Sequence, residues 1–313
     1  MDIKIVNQLQ SNNEDSIPTI IKDININQTV KEFKLKVYKE LNITIPLNNI
    51  GIFYSSNEND RKNKISLSED NKQLIYYDNI SNENTIFYIK NIGSQISYKL
   101  VYLIEYLGPL FFTLLFFYRL YYNKSKQKLK IPFIQIIYFI MAFFHYSKRV
   151  YETLFIHIFS HDTMPLKNLF KNCAYYWGIY GILCCYFIFH PNYNIISLFL
   201  YLRYLFGLLF FYAEYKNFKC HIILKELKEK NNGKKGIPPE KDGFQYCTCA
   251  NYFWEFLSWL SFSFLSLHWS IILFTCCGFY QMSLWALKKN KILKELYPNK
   301  YPKGRKSFIP YLI

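Results

Sequence analysis

The chain has 313 residues, 51% of them hydrophobic and 20% aromatic, with 38 Lys+Arg against 22 Asp+Glu and a net charge of +16. That apolar content excludes a disordered tail or a collagen-like fibre, and a mean hydropathy of −0.03, taken alone, suggests one or two globular domains. The mean conceals two unlike parts. Residues 1–94 hold 11 basic and 12 acidic side chains, the remainder 27 and 10. An apolar segment that also carries the excess positive charge points to a membrane, not to nucleic acid. Of the eight cysteines, none forms a CxxC pair or a zinc-spaced Cys/His cluster, so no metal site is expected. Most lie in apolar runs, where a thiol behaves as a small hydrophobe. The start, Met1-Asp2-Ile3-Lys4-Ile5-Val6, lacks the apolar core of a signal peptide, and no cleaved leader is expected.

Residues 1 to about 92 read as a small soluble module. β-Branched runs at Ile3–Val6 and Thr19–Ile26 predict strands. A helix is predicted from Thr29 to Leu41: Thr29 can cap it, Glu32 stands three residues on as a capping box requires, and Val30, Phe33, Val37 and Leu41 share one face. Strands resume at Ile50–Tyr54, Gln73–Tyr77 and Thr85–Lys90, and the Asn-, Lys- and Ser-rich stretch from Ser55 to Ser68 reads as a solvated connection. The order strand, strand, helix, strands at this length resembles a ubiquitin-like β-grasp, an α+β domain.

From Val101 the pattern becomes apolar. Val101–Tyr118 contains Glu105 as its one charge. Ile131–Tyr146, Cys173–His190 and Ile195–Tyr212, the last interrupted by Arg203, are similar runs. Phe253–Leu287 is long enough for a helical hairpin, given about 20 residues per crossing. The expectation is an all-α multi-pass membrane domain of about six to seven helices over residues 93–313, with Arg149–Phe159 as the additional helix. Several runs are short, which favours a thin bilayer such as the endoplasmic reticulum. Lys148, Arg149, Lys167 and Lys171, then seven Lys from Lys216 to Lys235, then eight Lys/Arg from Lys288 to Lys306 fall on one side of an alternating topology. That side is expected to be cytosolic, with both termini. The loop with Arg119, Lys124, Lys126, Lys128 and Lys130 would then face the lumen, against the rule. Asn123-Lys124-Ser125 in that loop and Asn27-Gln28-Thr29 in the module are glycosylation sequons, and glycan on Asn27 would reverse the orientation.

A carboxylate inside a span is costly and needs a partner or a purpose. Glu105, in Glu105-Tyr106-Leu107-Gly108-Pro109, is either an interfacial residue or part of a site. His145-Tyr146-Ser147-Lys148-Arg149, followed by Glu152, His157, Ser160 and His161, is either a helix end with basic anchors or a polar constellation. Asn251 and Glu255 are i and i+4 at the start of the last hairpin. They could cap the helix, or hold a ribose or amide where the dipole favours an anion. Lys225, Lys228, Lys230, Lys234 and Lys235 suit phosphates of a nucleotide or coenzyme A, or anionic lipid headgroups. No GxGxxG or GxxxxGK[ST] loop is present; a bound nucleotide would sit in a cavity of the membrane domain.

At these residues the chain resembles the very-long-chain trans-2,3-enoyl-CoA reductases of the steroid 5α-reductase superfamily. The resemblance runs from Gln95-Ile96-Ser97 through Glu105 to Pro109, His145 to Arg149, Glu152 to Phe155 and Ser160 to Leu166. It continues through Lys171 to Gly178, Asn251-Tyr252 with Glu255, and Tyr301-Pro302 to Ile309-Pro310. That family also carries a ubiquitin-like N-terminal domain. The resemblance implies NADPH-dependent reduction of the 2,3 double bond of a very-long-chain trans-2-enoyl-CoA, the last step of the fatty-acid elongation cycle. Membrane lipid and other elongation enzymes are the implied partners; nucleic acid is not. It further implies Tyr252 as proton donor, Lys148 as its electrostatic partner, Glu105 with Tyr146 as polarising or positioning groups, and Gln95 as a residue needed for activity. Asn251, Glu255, Lys228, Arg305 and His157 become the cofactor contacts.

The chain departs from the family pattern in four places. Ala250 stands where Pro is usual, Lys228 where Arg is usual, and Ile292 where a cofactor-contacting Tyr is frequent. The stretch from Leu293 to Pro302 is two residues longer, and Tyr297 is the candidate replacement for the missing Tyr. The alternatives are a related membrane NADPH-dependent steroid or polyprenol reductase, against which the N-terminal module and Thr163-Met164-Pro165 argue, and a non-enzymatic scaffold.

Overall fold

A computed structural model describes residues 2–9, 18–55, 64–67, 73–77, 80, 85–159, 162–193, 200–231 and 236–312. Most of the Ser55–Ser68 stretch, Ser160, His161, Lys234 and Lys235 lie outside these residues. Two compact units emerge, one of residues 1–101 with 159–169 and one of residues 102–158 with 170–313.

The first unit is built on β1 (Ile3–Gln8), β2 (Thr19–Ile21), α1 (Val30–Glu40), β3 (Ile50–Ser55), β4 (Ile65–Ser66) and β5 (Ile86–Asn91). The sheet order is β2-β1-β5-β3-β4; β1 and β5 are parallel, with Lys4 opposite Ile86, and the other pairs antiparallel. The capping box forms as predicted. Glu32 N donates to Thr29 Oγ1 at 3.2 Å and Thr29 N to Glu32 Oε2 at 2.8 Å. Val30, Phe33 and Val37 then pack with Ile3, Ile5, Ile52, Phe87 and Ile89 in one core.

Two readings change. β2 ends at Ile21 rather than Ile26 because Asp23 takes a left-handed conformation (φ 57°), which turns the chain out of the ladder. Gln73–Tyr77 is not a strand but a 3₁₀ turn over Leu74–Tyr76. Its one core contribution is Leu74, while Ile75 and Tyr76 are exposed; a tight turn delivers one side chain inward without the pairing a strand needs. A small second sheet joins β6 (Gln95–Ser97) to β7 (Thr163–Pro165), with Ile96 opposite Met164.

The second unit is helical: α2 (Tyr98–Lys126, from Tyr102 onward), α3 (Phe133–Phe155), α4 (Phe170 onward in a helix that starts at Lys167 and ends at Cys173), a π-helix over Ala174–Cys184 with α5 (Cys185–Ile188), α6 (Leu200–Lys230), α7 (Ala250–Ser266) and α8 (Trp269–Leu296). The expected hairpin is α7–α8, turned at Leu267 (φ 50°). Arg149–Phe155 continues α3 instead of forming a separate helix. α2 and α8, 29 and 28 residues long, are long and apolar enough to cross a membrane; at 1.5 Å per residue each exceeds a hydrocarbon core of about 30 Å.

Polar side chains inside the bundle serve helix ends. Arg203 Nε donates to Leu265 O at 2.8 Å at the end of α7, and Gln135 Nε2 to Ile188 O at 2.8 Å at the end of α5. Each supplies a terminal carbonyl with a donor that water cannot provide there. The π-helix is seated by Trp177, whose Nε1 donates to Ile104 O at 3.0 Å. Gly108 makes this close approach feasible, since a Cβ there would stand 1.9 Å from that nitrogen.

Candidate active site

Three helical faces supply the polar centre of the second unit. α3 presents His145, Lys148, Arg149 and Glu152 at i, i+3, i+4 and i+7; α6 presents Glu214, Asn217 and His221 at i, i+3 and i+7; α7 begins with Asn251 and Glu255. At these spacings each set shares one side of its helix. Lys148 Nζ lies 2.7 Å from Glu214 Oε2 and 3.6 Å from Glu152 Oε1, and donates to Asn217 Oδ1 at 2.6 Å. His145 stands between two carboxylates, Nδ1 2.8 Å from Glu214 Oε1 and Nε2 3.4 Å from Glu255 Oε1. Arg149 donates to Glu152 Oε2 and Tyr106 Oη, both at 2.7 Å. Asn217 Nδ2 donates to Asn251 O at 2.8 Å, tying the lysine's neighbour to the start of α7.

Glu152 and Glu214 are fully buried and His145, Lys148 and Arg149 nearly so. Buried charges persist when paired and hydrogen-bonded; every charge here has an opposite partner, while Glu152 Oε1, Glu214 Oε2 and Arg149 Nε lack a hydrogen bond among the described residues. Among the described residues Glu152, His157 and His221 are the one group whose possible metal-ligand atoms fall within 4.8 Å of one another. Arg149 Nη1 lies 2.7 Å from Glu152 Oε2 and 3.0 Å from His221 Nε2, so a guanidinium already neutralises that carboxylate. His157, in the segment after α3, packs its ring on His221 at 4.8 Å. Burial, with His221 and Arg149 beside it, pushes its imidazole down to about 2.

The remaining predicted residues are placed as follows. Glu105 is buried and accepts from Asn172 Nδ2. Tyr146 Oη is buried with no hydrogen-bond partner among the described residues, and its ring packs on Tyr180 at 4.8 Å. Tyr252 packs beside Cys249, Ala286 and Phe308, and Lys148 Nζ does not hydrogen-bond it, being held by Glu214 and Asn217. Lys228 and Lys225 donate to Ile158 O and Phe155 O beyond and at the end of α3, where the helix dipole favours cations. Arg305 donates to Pro238 O at 3.1 Å. Gln95 belongs to the first unit, where its Nε2 donates to Ile92 O at 2.9 Å.

The start of α7 is fixed by the tail. Thr248 N donates to Lys306 O at 2.8 Å and Cys249 N to Ser307 O at 3.1 Å. Asn290 Nδ2 donates to Ser307 Oγ at 2.7 Å, and Tyr301 Oη to Asn290 Oδ1. Thus Tyr301 and Asn290 anchor the lengthened tail. The loop before α7 turns at Asp242 (φ 53°) and Gly243 (φ 102°), the latter a backbone region that favours glycine, and Asp242 is held to Lys216 at 2.7 Å.

The profile described as 3-oxo-5-alpha-steroid 4-dehydrogenase matches residues 162–313. A probable very-long-chain enoyl-CoA reductase of Caenorhabditis elegans is 37% identical over 244 residues, covering 75% of this chain and 78% of the relative. The very-long-chain enoyl-CoA reductase of Dictyostelium discoideum is 39% identical over 233 residues, 74% of this chain and 75% of its own length. This chain belongs to the very-long-chain enoyl-CoA reductase family. A putative enoyl reductase of Schizosaccharomyces pombe is similar at 40% identity over 235 residues, 72% of this chain and 76% of the relative.

A member of this reductase family is an oxidoreductase, and a nicotinamide cofactor is implied. The residues present fit one: Asn251 Oδ1 and Arg305 Nε are buried without hydrogen-bond partners, an acceptor suited to a hydroxyl or amide and a guanidinium suited to phosphate. Sequence reasoning missed Glu214, Asn217 and Asn172. The signal for the first two was available, as a polar i, i+3, i+7 row with His221 where the apolar half of α6 gives way to its charged half.

Proposed function

We propose that this chain reduces the 2,3 double bond of very-long-chain trans-2-enoyl-CoA to the saturated acyl-CoA with NADPH, the closing step of fatty-acid elongation, in the endoplasmic reticulum membrane with both termini cytosolic. The observation that carries the reading is the buried, ion-paired network of α3, α6 and α7, in a chain of this family. NADPH, when bound, supplies the hydride for Cβ. The protein must stabilise enolate charge on the thioester oxygen and return a proton to Cα, and fixed donors in a water-poor site do this far better than water. Lys148 and Arg149 supply fixed positive charge, and Tyr252 is the proton donor. Glu105 and Tyr146 polarise or position the thioester, the unpartnered Tyr146 hydroxyl being available to donate. Asn251, Glu255, Arg305, Lys228 and His157 hold the cofactor, and Gln95 is assigned by resemblance alone.

Residues 1–92 are read as a ubiquitin-like β-grasp; the parallel β1–β5 pair with one capped helix supports this. Residues 93–313 are read as the catalytic domain of six to seven membrane helices. Other elongation enzymes are its proposed partners. The test is purified protein with NADPH and a C18 or longer trans-2-enoyl-CoA, followed by loss of NADPH absorbance. The match to the 3-oxo-5-alpha-steroid 4-dehydrogenase profile favours a second reading, a membrane steroid reductase. Turnover of a 3-oxo-4-ene steroid, with none of the enoyl-CoA, would replace the first reading by the second. Tyr252→Phe should abolish turnover with NADPH binding retained; an active variant removes Tyr252 as the proton donor.

A further inference from the structure

Glu214 is a fully buried carboxylate on α6, none of the residues implied by resemblance, and each of its oxygens faces a different basic side chain of α3. One oxygen lies 2.7 Å from Lys148 Nζ and the other 2.8 Å from His145 Nδ1. A carboxylate in that place gives the lysine ammonium a close counter-charge and the His145 ring a hydrogen-bond partner. Nε2 of the same ring faces Glu255 on α7 at 3.4 Å, so the imidazole stands between a carboxylate of α6 and one of α7. Lys148, Arg149 and His145 thus stand against Glu152, Glu214 and Glu255. Without Glu214 the Lys148 ammonium would lose its nearest counter-charge in a place with little water.

We propose that Glu214 is a positioning residue of the reductase site: it holds the Lys148 ammonium in place and charged, and through His145 registers α7, with Asn251 and Glu255, against α3. The proposal rests on reading Lys148 as part of the catalytic site. The groups facing Glu214 are His145 and Lys148 directly, with Glu152 and Arg149 behind them on α3, Asn217 and His221 on its own helix, and Glu255 on α7.

The experiment uses the full chain in lipid nanodiscs, as wild type, Glu214→Gln and Glu214→Asp. In Glu214→Gln, kcat is expected to fall about 10- to 100-fold while KM for NADPH and for the enoyl-CoA stays within about 3-fold. The alkaline limb of the kcat–pH profile should move to lower pH, because Lys148 has lost its carboxylate. Glu214→Asp, which keeps the charge, should recover part of the rate and return the limb toward wild type. A loss of rate with an unmoved limb, equal in both variants, overturns the proposal, as does a wild-type rate in Glu214→Gln. A second readout needs no turnover: acetic anhydride labelling read by mass spectrometry, with Lys148 compared with exposed Lys219. Lys148 should label about 10-fold faster in Glu214→Gln, and an unchanged ratio overturns the proposal. Should the wild type fail to oxidise NADPH with enoyl-CoA, the function assigned above falls and the labelling ratio alone decides about Glu214. If Glu214→Gln is recovered only as aggregate, Glu214→Asp decides, by whether its labelling ratio rises above that of the wild type.

Discussion

In the first unit the fully buried side chains include Ile5, Val30, Phe33, Leu74, Phe87 and Ile89; in the second they include Glu152, Glu214, Gln135 and, nearly so, His145. Outward-facing residues reverse the contrast. The helices of the second unit expose Phe111, Leu208, Tyr212 and Trp285, while α1 exposes Lys31, Glu32, Lys34 and Glu40 or keeps them at its rim. The first unit is held by removing apolar surface from water. A bundle in lipid gains little from that term, and fixed polar contacts between helices take a larger part. The residues proposed for chemistry therefore coincide with residues that hold the second unit together, so variants there need stability readouts beside rates.

Lys148→Met should give the largest effect. Loss of fixed charge from a reducing site is expected to lower kcat by roughly 10²–10³-fold, and leaving Glu214 and Glu152 without their cation to destabilise the bundle by about 3–5 kcal/mol. Assay and thermal melting in detergent check both, and a variant that keeps full rate and melting temperature would break the contrast. In the first unit Phe33→Ala, which empties the middle of the core against Phe87, should cost about 3–5 kcal/mol, read by denaturant unfolding of the full chain. A value near zero would show that this core is not what holds the unit. Gly108→Ala forces Trp177 off α2 and should cost about 1–3 kcal/mol, with a shift in tryptophan emission. Thr29→Ala removes the cap of α1 for about 1 kcal/mol, visible as a lower denaturation midpoint without change in rate.

The last effect is a slope. The His157 imidazole sits at about 2 in the folded chain against an ordinary 6.5. Between those values the unfolded chain binds a proton that the folded chain refuses, so stability rises with pH through that window and falls on acidification below about 6.5. The melting temperature should drop as the buffer goes from about pH 7.5 to about 5.5, and His157→Gln should shrink that drop.

Much of the first unit was legible because its determinants are local. The Thr29/Glu32 box and the face of Val30, Phe33 and Val37 need no knowledge of partners. The hairpin of α7 and α8 was likewise legible, as a run too long for one crossing. The 3₁₀ turn at Leu74 and the π-helix at Ala174–Cys184 were not, since each is set by what it packs on, the latter by Trp177 against Gly108. The site was half legible. His145, Lys148 and Arg149 stood out as charge at the end of an apolar run, yet their partners Glu214, Asn217 and His221 lie about 70 residues away on α6. Periodicity reads one helix at a time and cannot tell which faces meet. For the same reason the expected pairing of Lys148 with Tyr252 did not anticipate that α6 holds the lysine.

The clasp between the tail and the start of α7 also bears on biosynthesis. Lys306 is 58 residues downstream of Thr248, so the backbone donors of Thr248 and Cys249, immediately ahead of Asn251, have no acceptors until that later segment leaves the ribosome. Chains generally fold from the N-terminus as they emerge, and α2, α3 and α6 can associate first. The start of α7 is fixed last, as a folding step that follows synthesis of Lys306 and Ser307.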